Sequence, residues 1–298
     1  MEARRGTWYA VTAYVLWGLS PIYWNLLPDI GATTLILSRI VWSVPILVAV
    51  LAFTGKLSNF TASYRSWRPR LITAAAAGFL FINWALFVWS VANDHIVDAS
   101  LGYFINPLVS VGLGVVILGE RLRRVQWIAI GIAAAGVVIM TIAVGALPWI
   151  SLTLAFSFGT YGLLKKQPET PPPVVSLLGE TSLIAVPALI YAVLFNDPTG
   201  PTFGSSATVS IFLVGAGVVT VVPLLLFGGA AKRIPLSMVG LLQYITPSIQ
   251  LFLGVVVYGE TLSDQELIGF VAVWTALVLY SADSFRAKQP RVKPIPLD

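Results

Sequence analysis

Residues 83–120 read NWALFVWSVANDHIVDASLGYFINPLVSVGLGVVILGE, and residues 223–260 follow the same pattern as PLLLFGGAAKRIPLSMVGLLQYITPSIQLFLGVVVYGE. Shifted by 140 residues, the first stretch aligns with the second without a gap, and eleven of the 38 aligned positions are identical, including Pro107 with Pro247. A chain that repeats itself at a fixed distance is built from copies of one structural unit. We therefore expect a duplicated fold.

The chain as a whole is strongly apolar. Of its 298 residues, 57% are hydrophobic and only 10% are charged, and the mean hydropathy is +0.86. Because so little polar surface could not cover such an apolar core in water, the composition predicts an integral membrane protein. Zero cysteines exclude a disulfide scaffold, a thiol nucleophile and a thiolate metal site, and one histidine cannot build a zinc or haem centre. We expect no metal and no cofactor.

Ten apolar stretches have about the 20 residues that a helix needs to cross ~30 Å of hydrocarbon. The runs are continuous rather than alternating, so they predict an all-α fold and not a membrane barrel. The first stretch follows Arg4 and Arg5 and is interpreted as an uncleaved span, because it shows no signal-peptide cleavage pattern. The predicted spans are residues 7–26, 33–53, 71–93, 99–118, 125–143, 147–164, 174–195, 207–229, 238–258 and 267–284.

The repeat distance contains five of these ten spans. Since five is odd, the second copy must cross the membrane in the opposite sense, which makes an inverted repeat. Many secondary transporters use this architecture to alternate access around a site at the membrane midplane. The predicted organisation is a first five-helix unit over residues 6–143, an inverted second unit over residues 147–285, and a basic cytoplasmic tail over residues 286–298.

The positions of the basic residues test the span count independently. With ten spans, 17 of the 18 Lys and Arg residues fall on one side, while the opposite loops hold acidic residues such as Asp29 and Asp197 and no cation. The positive-inside rule then places both termini in the cytoplasm. Topology therefore explains the net charge of +5, and we expect the lipid bilayer rather than nucleic acid as a partner.

A polar stripe recurs in the two copies. Residues three or four apart share one face of a helix, and this spacing joins four polar side chains of the fourth span, whose counterparts 140 residues later are small or polar. The two sets are Ser100, Tyr103, Asn106 and Ser110, and Gly240, Gln243, Thr246 and Gln250. Such a stripe forms either the wall of a cavity or hydrogen bonds between helices. Its recurrence beside a proline in both copies favours the cavity.

Aromatic and amide side chains in other spans complete the predicted substrate site. Because this set contains no cluster of fixed charge, the expected substrate is neutral or zwitterionic and is partly aromatic or amphipathic. The candidate binding residues are Trp17, Asn83, Tyr103, Asn106, Tyr161, Gln243, Tyr244 and Thr246.

The eighteenth cation, Arg39, lies inside the second span, and Glu180 is the acidic residue deepest in any span. An ionisable residue at such a depth normally faces the protein interior and serves function. One hypothesis is a pair of gates, with Arg39 closing on Asp98 at the outer mouth and Glu180 closing on Lys232 or Arg233 at the inner mouth. The alternative is that Arg39 reaches the lipid headgroups and Glu180 accepts a structural hydrogen bond.

Several motifs resemble one family throughout residues 6–285. The stretches DASLGYFINPLVSVGLGVVILGERL, QWIAIGIAAAGV, LPWISLTLAFSFGTYGLLKK and QYITPSIQLFLGVVVYGE are similar to the RarD-type permeases of the EamA-domain drug/metabolite transporter superfamily. The resemblance implies ten helices in a 5+5 inverted repeat, with spans 1 to 4 and 6 to 9 around a central cavity. It also implies a bacterial inner-membrane exporter of small metabolites or of drugs such as chloramphenicol, acting as a monomer or weak homodimer.

Two function classes are compatible with these features: a secondary exporter of small organic molecules, and a membrane sensor or scaffold that keeps the fold without transport. Enzymatic activity is not expected, and the absence of a nucleotide-binding motif excludes ATP-driven pumping by this chain. Proton coupling would use Glu180, or the group Asp94, His95 and Asp98 at the outer mouth. Uncoupled, facilitated export stays open.

Overall fold

The computed structural model describes residues 1–26, 30–93, 95–144, 148–194, 200–259 and 264–286, and within these ranges the chain forms helices and no strands. Asp94 and the tail residues 287–298, on which predictions fall, lie outside the described residues. The α-helices are α1 (Glu2–Trp24), α2 (Ala32–Phe53), α3 (Leu57–Ser63), α4 (Trp67–Ala92), α5 (Ile96–Val116), α6 (Arg124–Val144), α7 (Trp149–Lys165), α8 (Pro173–Leu194), α9 (Ala207–Ala231), α10 (Leu236–Leu242), α11 (Ile245–Phe252) and α12 (Asp264–Arg286).

Seven stretches of described helix are long and apolar enough to cross a membrane: α2, α4, α5, α6, α8, α9, and the combined stretch Leu236–Val257. The other three predicted spans correspond to α1, α7 and α12. Helix α7 has only 17 residues, about 25 Å of rise, and α1 carries charged residues in its first turn. The apolar part of α12, Leu267–Asp283, is likewise short. The all-α prediction is confirmed, and the multi-pass character rests on these apolar helices.

The ninth predicted span is not one continuous α-helix. It divides into α10 and α11 at Gln243 and Tyr244, and α11 continues into a π-helical turn at Leu253–Val257. The ring of a proline collides with the carbonyl four residues earlier, and for Pro247 that carbonyl belongs to Gln243. Pro107, at the corresponding place in the first copy, lies inside the unbroken α5. The loop after the second span also contains a short helix, α3, that hydropathy did not predict.

The contacts between helices come in matching sets. Helix α4 packs on α7 and α8, and α9 packs on α1 and α2; likewise α5 packs on α7, and α11 packs on α1. Glycines make the close approaches in the last two pairs, Gly159 against Val109 and Gly18 against Ile249. Three further contacts join counterparts from the two halves, namely α2 with α8, α5 with α10 and α6 with α12.

Helix termini gather at two ends of the molecule. At one end, called the basic end, Arg68 contacts Glu169, and Arg123 contacts Asp283. The basic end is defined by Arg5, Arg68, Arg123, Lys166 and Lys232. At the opposite end, called the far end, the ring of Trp89 packs on Trp149, and Ser151 bonds the carbonyl of Asp98.

Candidate functional site

Arg39 lies near the far end, as the eighth residue of α2. Its Nε donates a 2.9 Å hydrogen bond to Thr220 Oγ1 of α9. Its guanidinium carbon stands 5.1 Å from the ring centroid of Trp24 and 6.0 Å from that of Trp84, so the charge rests against two indole faces. In the part of the chain that the structure describes, Arg39 forms no ion pair.

A cavity of about 20 Å³ opens beside Arg39. It is lined by Ile36, Arg39, Ile40, Trp84 and Phe87. The volume is enough for a water molecule next to the guanidinium. Tyr103, from the predicted polar stripe, lies within electrostatic range of Arg39 and packs its ring on Phe87 at 6.3 Å. Tyr103 therefore lies near Arg39, in contact with Phe87 of the cavity lining.

Glu180 lies near the basic end, as the eighth residue of α8, and is fully buried. Its Oε1 receives Lys165 Nζ and Ser176 Oγ, both at 2.5 Å, and its Oε2 receives the Tyr161 hydroxyl at 3.1 Å. Lys165 Nζ also donates to Ser176 Oγ at 2.8 Å. The carboxylate thus has three donors and an opposite charge inside a dry environment, which we call the Glu180 network.

Lys165 is the residue that sequence reasoning missed. The sequence analysis counted it among the cations of a cytoplasmic connection, but it is the last residue of α7 and only 2% exposed. The internal repeat does contain evidence that Lys165 belongs to the end of a helix. Seven residues separate Lys165 from α8, and seven residues separate Trp24 from α2, so Lys165 is the counterpart of Trp24. Hydropathy alone could not show this, because Lys165 begins the polar run KKQ at residues 165–167, which is typical of an exposed connection.

The two predicted gate pairs are not formed in this structure. Asp98 Oδ2 contacts His95 Nδ1 at 3.0 Å, not Arg39. Lys232 Nζ donates to the carbonyls of Thr170 and Pro171. These two residues lie at the end of the connection between α7 and α8, next to Lys232. Burial, helped by the charges of Lys165 and Arg233, lowers the pKa of Lys232.

Arg233, the other predicted inner-gate cation, also has different partners. Its Nε donates to Glu2 Oε2 at 3.0 Å, and its guanidinium lies 5.2 Å from the ring centroid of Tyr9. Arg233 therefore joins the start of α1 to the end of α9 rather than reaching Glu180. A gating role for Arg39, Asp98, Glu180, Lys232 and Arg233 stays a prediction.

An aromatic cluster lies between the partly buried Arg39 and the fully buried Glu180. It consists of Tyr14, Trp17, Phe158, Tyr161 and Phe227, with ring centroids 5.1 to 6.5 Å apart. Trp17 precedes Trp24 by two turns in α1, and Phe158 precedes Lys165 by two turns in α7, which sets both rings at intermediate depth. Tyr161 connects the cluster to Glu180 through its hydroxyl. Two predicted binding residues, Trp17 and Tyr161, are thus brought together.

Other predicted binding residues hold helices together. Asn83 Nδ2 donates to the Leu154 carbonyl and to Ser157 Oγ of α7. Tyr244 donates to the Phe104 carbonyl at 3.1 Å, and Thr246 donates to the Tyr14 carbonyl at 2.9 Å. The Thr246 bond matches the alternative interpretation of the polar stripe, in which its residues form hydrogen bonds between helices.

Asn106 and Gln243 are two buried residues of the polar stripe, and Asn106 has a side-chain atom that no described residue satisfies. The buried Oδ1 of Asn106 has no hydrogen-bond partner in the described part of the chain. Gln243 is buried at the break between α10 and α11, where its backbone N–H donates to the Gly240 carbonyl and its carbonyl accepts from the Thr246 N–H. A buried acceptor without a partner is costly, so such a group is a candidate contact for a ligand or water.

The profile of the EamA-like transporter family matches this chain twice, over residues 4–142 and 146–282. The chain belongs to that family. Protein RarD of Streptomyces exfoliatus is 43% identical to this EamA protein, over 98% of this chain and 93% of its own. The uncharacterized transporter YojE of Bacillus subtilis (strain 168) is 40% identical over 97% of both chains.

A solved crystal structure of a protein superposes on the EamA protein with a TM-score of 0.72, covering 95% of this chain and 99% of its own. At 16% identity, that likeness shows the fold alone. The relatives confirm the resemblance to RarD-type permeases. The EamA protein is thus a multi-pass membrane protein of a transporter family.

Proposed function

We propose that this EamA protein is a secondary-active or facilitative exporter of small neutral or zwitterionic organic molecules, amino-acid-like or amphenicol-like, working by alternating access. One observation carries the proposal: Arg39 and Glu180 occupy equivalent places in α2 and α8, near opposite ends of the molecule, with an aromatic cluster between them. A chain that only scaffolds other proteins has little reason to bury charge at both ends of such a path.

The proposed architecture is ten membrane-crossing helices in a 5+5 inverted repeat. Its support is the double match to the family profile, the matching sets of helix contacts, and the repeat at 140 residues. We assign residues 6–143 and 147–285 to the two units and residues 286–298 to a basic tail. In this arrangement the basic end faces the cytoplasm of a bacterial cell, together with both termini, because cations are retained on that side.

The described conformation supports closure at the basic end. There the Glu180 network joins α7 to α8, and Lys232 and Lys166 tie α9 and the start of α10 to the same region. At the far end the cavity beside Arg39 remains. Opening toward the cytoplasm would separate α7 from α8 and part Lys165 from Glu180. Substrate would meet Trp17, Tyr103, Asn106 and Gln243 on the way through.

Protonation of Glu180 offers a route to coupling. A neutral carboxyl no longer attracts Lys165 as an ion, so a proton arriving at Glu180 would weaken the network and favour opening. In the described part of the chain, Lys165 and Tyr161 of α7 bond Glu180, Tyr64 after α3 lies within electrostatic range of it, and Lys232 after α9 lies within range of Lys165. Tyr64 donates to the Val175 carbonyl of α8, and burial raises its pKa to about 12, so it stays protonated at neutral pH.

The test is uptake by proteoliposomes that contain the purified protein, with a panel of amino acids and amphenicols, with and without a pH gradient. We expect saturable transport of at least one compound, driven by the gradient in the wild type and independent of it in Glu180→Gln. Gradient-independent transport by the wild type would favour uncoupled export. Transport of no compound across the panel would move the assignment to a sensor or scaffold.

A further inference from the structure

The fully buried Glu180 and the partly buried Arg39 differ in whether the protein supplies a counter-charge. At the basic end, Glu180 faces Lys165, the last residue of α7. At the far end, the residue in the same position is Trp24, the last residue of α1, and it offers an indole face instead of a carboxylate. The pseudo-symmetric arrangement therefore supplies a counter-charge on one side and omits it on the other.

Most hydrogen-bond donors of the Arg39 guanidinium have no acceptor among the described residues. Only its Nε is used, for Thr220, and its two terminal nitrogens carry four N–H groups with no acceptor among the described residues. An uncompensated cation at this depth is expensive, and the cost falls when an anion pairs with it. A planar guanidinium fork matches a carboxylate with two parallel hydrogen bonds.

The walls around Arg39 are aromatic. Trp24 and Trp84 flank the guanidinium, Phe87 lines the cavity beside it, and Tyr103 packs on Phe87. Such rings bury the apolar body of a ligand, whereas a small inorganic anion would gain nothing from them. The aromatic surroundings therefore favour an organic carboxylate over chloride or phosphate.

We propose that Arg39 is the residue that selects the substrate by its carboxylate group, and that this EamA protein carries aromatic or aliphatic carboxylates, including zwitterions. The inference rests on the proposed transport function, since it names the substrate class of that path. Arg39 then binds the ligand's charge from α2, and Thr220 of α9 holds the guanidinium in orientation.

The experiment measures binding by the full-length protein in detergent, through its thermal unfolding, with 3-phenylpropionate and 3-phenylpropanamide as probes. The two probes differ only in that one carries a carboxylate and the other a neutral amide. The variants are Arg39→Gln, which removes the charge, and Arg39→Lys, which keeps the charge without the fork. Arg68→Gln removes an exposed arginine in the first turn of α4, at the basic end, and serves as the matched control.

We expect the wild type and Arg68→Gln to bind the carboxylate about tenfold or more tightly than the amide, because a bidentate charged pair is lost with the amide. Arg39→Lys should keep part of this preference, and Arg39→Gln should lose it. Equal binding of both probes by the wild type, binding of neither at millimolar concentration, or an unchanged preference in a folded Arg39→Gln would each overturn the inference.

The same variants in proteoliposomes separate this inference from the proposed function. Transport of neutral panel compounds that is unaffected in Arg39→Gln would leave the exporter assignment standing while the carboxylate inference fails. Arg39-dependent binding of 3-phenylpropionate, without transport of any compound, would leave the binding site standing while the exporter assignment fails.

Discussion

Arg39 and Glu180 hold the same place in two helices that pack against each other: each is the eighth residue of a 22-residue helix, α2 and α8. Their charges are opposite, and only Glu180 has an ionic partner in the described part of the chain. The difference lies in the preceding helices, because α1, before α2, ends in Trp24 and α7, before α8, ends in Lys165. The two copies of the fold therefore differ at Arg39 and Glu180, because, among the described residues, only Glu180 has a counter-charge from the preceding helix.

The buried ion pair predicts non-additive stability. Lys165→Met should lower the free energy of unfolding by about 3–5 kcal/mol, because it leaves the Glu180 carboxylate without its counter-charge in a dry site. Adding Glu180→Gln should recover a large part of that loss, since no uncompensated charge remains. Denaturant titration of the purified variants measures both effects. A double variant less stable than the sum of the two single ones would contradict the pairing.

Helix packing at Gly159 gives a second stability prediction. A methyl group there would lie 2.9 Å from Val109 Cγ1, so Gly159→Ala should cost about 1–3 kcal/mol through overpacking of α7 on α5. Adding Val109→Ala removes the atom concerned and should restore most of the loss. Gly112→Ala, in α5 with open space around it, is the control and should stabilise by up to about 1 kcal/mol.

Transport should depend on the polar stripe. Tyr103→Ala and Gln243→Ala should each lower transport of the identified substrate at unchanged expression, because Tyr103 adjoins Arg39 and Gln243 lies at the helix break. Tyr258→Ala alters an exposed tyrosine outside the proposed path and should transport normally. Initial transport rates in proteoliposomes, measured for the two stripe variants and for Tyr258→Ala, test this prediction. Normal kinetics in both stripe variants would remove these residues from the substrate site.

The topology can be tested with single cysteines, since the chain has none of its own. Ser205→Cys at the far end should react with an impermeant maleimide in intact cells, because that end is proposed to face outward. Ser58→Cys, exposed in α3 at the basic end, should react only after the cells are opened. Labelling of Ser58→Cys alone in intact cells would invert the proposed orientation.

Hydropathy predicted the helices well where the apolar run was long. The fifth and seventh predicted spans, 125–143 and 174–195, agree with α6 and α8 to within one residue at each end. The prediction was less accurate for the ninth span, because the collision of a proline with the preceding turn depends on how neighbouring helices accommodate it. Pro107 and Pro247 occupy equivalent places, yet only the second coincides with a broken helix.

The sequence by itself determined that this chain lies in a membrane, that it is helical and that it is duplicated, because hydropathy and repetition are properties read along the chain. Only the tertiary structure decided which charges meet. Glu180 could have faced Lys232 or Arg233, but the packing of α7 on one side and the carbonyls of Thr170 and Pro171 on the other left Lys165 as its partner. Which partner a buried charge pairs with depends on three-dimensional distance and on desolvation, and neither can be predicted from the spacing of residues along the chain.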